Sequence, residues 1–335
     1  MAGRVRKMTD TYGRNINYMR ISVTDRCNLR CRYCMPEEGL RLGGKGHNNI
    51  LTLEECARLV QIAAGIGIHK IRLTGGEPLV RRNLVKLIGD IASIAAIDDI
   101  AITTNGMLFA PMAAGLQSAG LQRVNFSVDT LEKTKYRYIT RQGDIGKLMA
   151  SLYKALELEM HPVKINMVVI RGFNDDEIMD FVRLAYNYPL HVRFIEFMPV
   201  GDLLYWRQDR SLCSREIKAQ VQQEYALMPV RAIRGNGPAK YYKLEGGQGS
   251  VGFISPLSNH FCGDCNRIRL TAEGKLRACL YDPREIDLKT ALQNQASDSE
   301  LKDLFLSAIS LKPEKHSMHS GWGAGNKRKM HQIGG

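Results

Sequence analysis

The first 200 residues alternate short apolar, β-branched runs with longer stretches in which apolar residues recur at helical spacing. A period of two residues indicates a strand, and a period of 3.6 residues indicates a helix that packs one face on a core. This pattern predicts strands at 19–23, 70–74, 100–104, 123–129, 163–170 and 192–197. It predicts helices between them at 53–64, 83–94, 111–119, 146–159 and 175–187.

Six strands that alternate with helices predict an α/β fold, with a parallel sheet curled into a complete or partial TIM-like barrel. In such folds the chemistry lies beyond the carboxyl ends of the strands. The polar and glycine-rich motifs of this chain follow predicted strands, as a functional site at that edge requires. These motifs are Cys27, Gly75-Gly76-Glu77-Pro78, Asn105-Gly106 and Met198-Pro199.

The pattern changes after residue 230, where glycine-rich turns separate short strand-like runs at 241–244 and 250–255. Residues 267–281 are typical of a hairpin with Glu273-Gly274 at its turn, and a helix is expected at 299–310. The stretch 312–335 has no apolar periodicity and is expected to be a tail, disordered or ordered by a ligand, with its histidines in solvent. We therefore predict a core barrel at 1–230 and a smaller α+β domain at 231–335.

Composition narrows the possible partners and location. The formal charge of +13, from 47 basic and 34 acidic residues, favours a polyanionic partner such as a nucleic acid, a membrane surface or a phosphorylated small molecule. A merely basic surface is the simpler interpretation. No apolar run approaches the roughly 20 residues that span a bilayer, and the first ten residues lack a secretory signal, so we expect a cytoplasmic protein.

Six of the eight cysteines fall into two groups of three, and clustered cysteines without a secretion signal indicate a metal or redox site. The first trio is Cys27, Cys31 and Cys34, and the second is Cys262, Cys265 and Cys279. Three thiolates on a four-iron cubane leave one iron open for a small molecule. A zinc site is the alternative for either trio, and in the second trio His260 could complete it.

The residues between Cys265 and Cys279 favour an open cluster beside a phosphate. Arg267 and Arg269 alternate on a predicted strand and therefore share one face. The planar guanidinium group suits phosphate oxygens, which a structural zinc site does not need. The simpler alternative is that both arginines point to solvent.

The run 24–34, Thr-Asp-Arg-Cys-Asn-Leu-Arg-Cys-Arg-Tyr-Cys, resembles the cluster loop of the radical S-adenosylmethionine (SAM) superfamily. Gly75-Gly76-Glu77-Pro78 resembles that superfamily's SAM-binding turn. A second trio spaced Cys-x2-Cys-x13-Cys, together with the terminal Gly334-Gly335, is similar to the GTP 3′,8-cyclase family over essentially the whole chain. The resemblance implies conversion of GTP to 3′,8-cyclo-7,8-dihydro-GTP in molybdenum cofactor biosynthesis.

The resemblance also implies cofactors and site residues. The two trios would each hold a [4Fe–4S] cluster, with SAM at the first and guanine at the second. Family SAM positions are matched by Tyr33, Gly76, Ser127 and Met198. Family GTP positions are matched by Arg20, Arg72, Thr103, Lys164, Arg267 and Arg269, and we expect Lys70 and Arg193 to be further phosphate-side cations. The pair Gly334 and Gly335 would reach into the active site.

The expected partners are GTP, an electron donor such as flavodoxin or ferredoxin, and the next enzyme of the pathway, cyclic pyranopterin monophosphate synthase. We expect a monomer or homodimer with no membrane or nucleic-acid partner. One alternative is a radical SAM enzyme that modifies a peptide and carries an auxiliary cluster. Another is a non-catalytic iron–sulfur or zinc protein that binds RNA, although aromatic residues make up only 7% of the chain and RNA binding relies on aromatic stacking.

Overall fold

The computed structural model describes residues 8–39, 50–200, 205–230, 233–234, 237–318 and 328–334. These residues form twelve strands and ten α-helices. The strands are β1 (Tyr18–Ser22), β2 (Lys70–Thr74), β3 (Asp99–Thr104), β4 (Arg123–Ser127), β5 (Val163–Val169), β6 (Leu190–Glu196), β7 (Leu227–Val230), β8 (Lys240–Leu244), β9 (Ser250–Ile254), β10 (Arg267–Leu270), β11 (Lys275–Arg277) and β12 (Ile286–Asp287).

The helices lie mainly in the connections between parallel strands. They are α1 (Leu53–Gly65), α2 (Leu84–Ala92), α3 (Phe109–Ser118), α4 (Lys133–Thr140), α5 (Ile145–Glu157), α6 (Ile178–Asn187), α7 (Ser214–Val221), α8 (Leu288–Gln293), α9 (Asp298–Ser310) and α10 (Met330–Ile333). Local signals fix several of their ends. Thr52 and Glu55 form a reciprocal capping box at the start of α1, which satisfies backbone N–H groups that have no helical partner. Among the described residues, no helix is long and apolar enough to cross a membrane.

All twelve strands belong to one sheet in the order β12-β11-β10-β1-β2-β3-β4-β5-β6-β9-β8-β7. Strands β1 to β6 are parallel and adjacent in chain order, which confirms the predicted α/β fold of the partial-barrel type. The later strands extend both edges: β10 pairs with β1 and β9 pairs with β6, both in parallel. These pairings satisfy N–H and C=O groups that an unpaired edge would expose. The domain boundary at 230 stays a prediction.

Alternate residues of each strand face different surroundings. In β1, Met19 and Ile21 are completely buried in the apolar core between sheet and helices. Their neighbour Arg20 lines the cavity inside the partial barrel. Because a strand turns successive side chains to opposite faces, the outer face carries the apolar core and the inner face carries the site.

Several segments differ from the predictions, and the elements α7, α8, β7 and β12 were not expected from the sequence. Helix α4 was not predicted, because its sequence is mainly polar and only Tyr136, Ile139 and Thr140 are buried. The expectation of a tail with solvent-exposed histidines is wrong for His331, which is only 3% exposed. Ile333 of α10 is also buried, in a small apolar cluster with Val200 and Met318. A four-residue helix is too short to show the periodicity on which the prediction depended.

Candidate active site

A cavity of about 330 Å³ inside the partial barrel is lined by all six clustered cysteines. The first trio follows the carboxyl end of β1. Cys262 and Cys265 precede β10, which runs parallel to β1, and Cys279 follows the antiparallel β11 back to the same edge. The topology therefore places the two trios at opposite edges of the sheet, at the two ends of one cavity.

The first trio lies in a loop that directs hydrogen-bond donors at sulfur. The Leu29 N–H donates to Cys27 Sγ at 3.3 Å, and Asn105 Nδ2 lies 3.8 Å from the same atom. Burial raises the pKa of Cys27 to about 11 and that of Cys34 to about 12. Buried thiols become thiolates when a metal provides compensating charge. The donor set and its N–H partners fit an iron–sulfur cluster with three protein ligands.

The glycine turn after β2 packs directly on this loop. The Gly76 N–H donates to the Thr24 carbonyl at 2.8 Å, and the Glu77 N–H donates to the Arg26 carbonyl at 2.8 Å. A Cβ at Gly76 would lie 2.3 Å from the Arg26 carbonyl oxygen, so a side chain cannot be placed there without moving the loop. The turn and the cysteine loop therefore form one unit with close backbone contact.

Glu77 joins this unit to the loop after β3. Its carboxylate accepts hydrogen bonds from Thr104 Oγ1 and the Asn105 N–H, both at 2.7 Å, and from the Leu79 N–H at 3.1 Å. Burial raises the pKa of Glu77 to about 7, although these donors favour the charged form. Through Asn105, this buried carboxylate supports the environment of Cys27.

The expected SAM residues Tyr33, Gly76, Ser127 and Met198 all line the cavity. Tyr33 donates its hydroxyl proton to Asp129 Oδ2 at 2.5 Å. Burial raises the pKa of Asp129 to about 6, against the effect of this hydrogen bond. The structure thus brings the four residues together at the carboxyl edge of the sheet, and Asp129 holds the tyrosine in place.

The second trio has a different electrostatic environment. Burial would raise the pKa of Cys265, but the nearby cations of Arg267 and Lys312 lower it to about 6. Burial raises the pKa of Cys262. Among the described residues, no three His, Cys, Asp or Glu side chains are arranged to hold a single metal ion.

Arginines converge on the cavity between the two trios. Arg20 lies opposite Arg72 in the β1–β2 register and opposite Arg269 in the β1–β10 register, and Arg193 reaches the cavity from β6. Of these, Arg72, Arg193 and Arg269 are buried. Burial and the neighbouring arginines lower the pKa of Arg72 to about 9, which leaves it charged at neutral pH. Arg267 lines the same cavity.

These arginines have no carboxylate partner within the described part of the chain. Glu196, a candidate ion-pair partner, instead accepts hydrogen bonds from backbone and hydroxyl groups near Ser214 and Ser258. Arg123, by contrast, forms a buried ion pair with Asp99. Among the described residues, the buried polar atoms along the cavity without a partner include Arg20 Nε, Arg72 Nε, Arg193 Nε, Thr103 Oγ1, Asn166 Oδ1 and His331 Nε2. The unpaired guanidinium and hydroxyl donors of this set fit an anionic, oxygen-rich ligand.

The two predicted substrate lysines do not line the cavity. Lys164 is buried, and its Nζ donates to the Arg234 carbonyl at 2.6 Å. Burial, together with Arg193, Arg123 and Arg72, lowers the pKa of Lys164 to about 5. Lys70 is partly buried at the start of β2. Contact of either lysine with substrate stays a prediction.

The C-terminal segment contacts the first cysteine loop and one of the cavity arginines. His331 Nδ1 lies 3.1 Å from the Cys34 carbonyl, and the Gly334 carbonyl accepts a hydrogen bond from Arg269. Gly334 has a φ of +80°, and a Cβ there would lie 2.5 Å from Thr74 Oγ1. Gly335, the other predicted tail residue, lies outside the described residues.

The sequence analysis singled out neither Asp129 nor Asn166 as a site residue, and it expected His331 in solvent. Asp129 follows β4 at the edge where the cysteine loop lies. The rule that functional residues follow the carboxyl ends of parallel strands could have found it. Asn166 alternates with Lys164 on β5, which places both on the inner face. No local signal marks His331.

Comparison with known proteins places this architecture in a family. Residues 21–185 match the model of the radical SAM superfamily, and residues 190–318 match the Molybdenum Cofactor Synthesis C model. A GTP 3′,8-cyclase of Syntrophomonas wolfei is 66% identical over 328 residues, covering 98% of this chain and the whole relative. The chain belongs to the GTP 3′,8-cyclase family.

Other members of the GTP 3′,8-cyclase family match over similar lengths. The proteins of that name from Desulforamulus reducens and Moorella thermoacetica are each 53% identical, with 98% of this chain and all of each relative covered. Membership in the radical SAM superfamily implies a [4Fe–4S] cluster and SAM. The first trio and its loop fit both.

Solved structures with a similar fold include Streptococcus suis SuiB. SuiB bound to its precursor peptide SuiA matches with a TM-score of 0.57, and SuiB bound to S-adenosylmethionine with a TM-score of 0.53. Both share 13% sequence identity with this chain and cover 79% of it. The chain spans only about 60% of the length of these structures. The similarity therefore shows the fold alone.

Proposed function

We propose that this protein is a GTP 3′,8-cyclase, which converts GTP to (8S)-3′,8-cyclo-7,8-dihydroguanosine 5′-triphosphate in molybdenum cofactor biosynthesis. The observation that carries the proposal is one cavity with a cysteine trio at each end and unpaired arginine donors between them. A nucleoside triphosphate offers a base for one end, a ribose in the middle and phosphate oxygens for the cations. The identity to named family members supports the same assignment.

At the carboxyl edge, Cys27, Cys31 and Cys34 would hold a [4Fe–4S] cluster with SAM on its open iron. When bound, this pair supplies the one-electron cleavage of SAM that generates a deoxyadenosyl radical. The turn at Gly76 offers backbone groups to the SAM amino acid moiety, and Ser127, Met198 and Tyr33 would orient the rest. Asp129 fixes Tyr33 by hydrogen bonding, so that part of the SAM site is organised before SAM binds.

At the opposite edge, Cys262, Cys265 and Cys279 would hold a second [4Fe–4S] cluster whose open iron binds guanine. Arg267 and Arg269 lie beside it and would bind the nucleotide from the β10 side. Arg267 also contacts Cys265 Sγ, with an N–S distance of 3.7 Å. This arginine would therefore contact both a ligand of the cluster and the substrate.

Between the ends, Arg20, Arg72 and Arg193 would bind the triphosphate, and Thr103 would donate a hydrogen bond from its unpartnered hydroxyl. Fixing the nucleotide at base and phosphates restricts the ribose to the space between the two edges of the sheet. Such restraint makes ring closure between two atoms of one nucleotide effectively unimolecular. Gly334, held by Arg269, would help exclude water from the reacting carbon.

The test is anaerobic reconstitution of the full chain with iron and sulfide, followed by SAM, GTP and a reductant. We expect 5′-deoxyadenosine and cyclised nucleotide to form together, and only when GTP is present. A variant with Cys262, Cys265 and Cys279 changed to alanine should keep its first cluster and its binding of SAM but lose GTP-dependent formation of both products. Deoxyadenosine formation that needs a peptide rather than GTP would overturn the proposal.

We further infer that flavodoxin or ferredoxin supplies the electrons and that cyclic pyranopterin monophosphate synthase takes the product. The excess of positive charge, +13, would favour encounter with an acidic electron carrier. A cytoplasmic monomer or homodimer would suit these exchanges. Salt-sensitive reduction by flavodoxin, together with sedimentation of the loaded protein, would test these inferences.

A further inference from the structure

Lys312 bridges the two chain segments that carry the second trio. It follows α9 and is only 3% exposed. Its Nζ donates to the Arg267 carbonyl at 2.9 Å and to the Ala278 carbonyl at 2.6 Å. Arg267 lies two residues after Cys265, and Ala278 immediately precedes Cys279. One ammonium group therefore fixes the spacing of two cysteine-bearing segments.

The charge of Lys312 is not balanced by a carboxylate. Within the described part of the chain it forms no ion pair, and the two acceptors of its hydrogen bonds are neutral carbonyls. A buried cation without an anionic partner carries a large desolvation cost. Its Nζ lies against carbonyls two residues after Cys265 and one residue before Cys279, so its charge is close to the thiols of the trio. Those thiolates are anions that would offset the cost.

A second buried cation beside this trio provides a contrast. Arg14 donates to the Cys262 carbonyl and to the Pro313 carbonyl, both at 2.8 Å. It also forms an ion pair with Asp10 at 2.6 Å, and both side chains are buried. Arg14 therefore fixes the backbone at Cys262 while Asp10 balances its charge. The charge of Lys312, by contrast, has no carboxylate to balance it within the described residues and is directed at the trio.

We propose that Lys312 is a positioning residue for the second cluster. Its hydrogen bonds to two backbone carbonyls fix the cysteine segments, and its unbalanced charge stabilises the more negative, reduced state of the cluster. The inference rests on the proposed function, because it requires a cluster at the second trio. A positive charge close to a redox centre favours the added electron by Coulomb attraction. The sulfur environment and local charge are known determinants of cluster potential.

The experiment uses the full chain with Cys27, Cys31 and Cys34 changed to alanine, so that only the second cluster is assembled. Iron content and the midpoint potential, from anaerobic titration followed by electron paramagnetic resonance, are measured for Lys312→Gln and Lys312→Arg in this background. Glutamine retains a hydrogen-bond donor for the carbonyls but removes the charge, and arginine retains the charge. Lys302→Gln, on the exposed side of α9, is the matched control.

We expect Lys312→Gln to lower the ratio of reduced to oxidised cluster at least tenfold at a fixed potential, about 59 mV for one electron. Lys312→Arg and Lys302→Gln should keep the parent value. Loss of iron in Lys312→Gln with retention in Lys312→Arg would also support the proposal. An unchanged potential and iron content in Lys312→Gln would overturn it. If the parent itself assembles no second cluster, the proposed function fails instead, so the two failures are distinguishable.

Discussion

We predict that Lys164 makes GTP binding sensitive to pH, with an affinity that falls as the pH rises. Burial, assisted by three arginines, lowers its pKa to about 5, so at pH 8 only about one molecule in a thousand carries the proton. A triphosphate that neutralises Arg72 and Arg193 would remove part of the repulsion, and a phosphate close to the Lys164 ammonium group would offset the larger cost of burial. If the pKa of Lys164 returns toward the ordinary value of about 10.4, binding takes up close to one proton at pH 8.

The assay is anaerobic isothermal titration of the loaded protein with GTP at pH 8 in two buffers of different ionisation enthalpy. At this pH the terminal phosphate is already ionised, since phosphate groups have a second pKa near about 6. Affinity should fall about tenfold for each pH unit above neutrality, because one proton is bound with each nucleotide. Lys164→Met should lose this dependence, whereas Lys133→Met, an exposed lysine of α4, should keep it. Identical proton uptake in the parent and in Lys164→Met would refute the reasoning.

The same group affects the stability of the nucleotide-free protein. A lysine whose pKa is about 5 when folded and about 10.4 when unfolded binds fewer protons in the folded state between those values. Stability should therefore rise with pH across this window, by up to about 1.4 kcal/mol per unit from this group. Lys164→Met should unfold at a higher temperature than the parent at pH 7. Its stability should also increase less steeply with pH than that of the parent. A lower melting temperature for Lys164→Met would contradict the assigned desolvation.

Three further predictions follow from close contacts and buried charge. Gly76→Ala should weaken SAM binding at least tenfold, since its Cβ would lie 2.3 Å from the Arg26 carbonyl oxygen; equal affinity by equilibrium dialysis would contradict this. Arg123→Met should cost about 3–5 kcal/mol of unfolding free energy by leaving Asp99 buried and unpaired, and adding Asp99→Leu should recover most of it in denaturant titrations; a double variant as unstable as the single would argue against it. Removal of Gly334 and Gly335 should lower turnover while the melting temperature stays within about 2 °C, because the lost contacts lie at the site rather than in the main core; unchanged turnover would remove the role of the tail.

The sequence predicted the central strands because the apolar core lies on one face of each. In β2, for example, Ile71 and Leu73 are completely buried on the outer face and Arg72 lines the cavity, so the alternation is strong. Helix α4 escaped prediction because its buried residues are few. The parallel pairing of β10 with β1 could not be read from the pattern either. Which strand covers an open edge depends on the whole fold and not on local spacing.

The candidate site, like the fold, could be predicted only in part. Cysteine spacing identified both trios, and the structure places all six thiols around one cavity as expected. Asp129 and His331 were missed as site residues, because each acts through a tertiary contact: with the Tyr33 hydroxyl and with the Cys34 carbonyl, respectively. Single polar residues of this kind have no repeat or motif to distinguish them. Their role becomes visible only when the folded structure shows which loops they contact.

The junction between β1 and β10 determines when the cavity can exist during synthesis. Asn17 and Asn266, 249 residues apart, are joined by a side-chain hydrogen bond beside this junction. A nascent chain that has not yet left the ribosome past β10 carries an exposed edge at β1 and lacks one end of the substrate chamber. Translation must therefore be nearly finished before the enzyme can enclose a nucleotide. Chains truncated before that point would be inactive and prone to aggregation through the exposed edge.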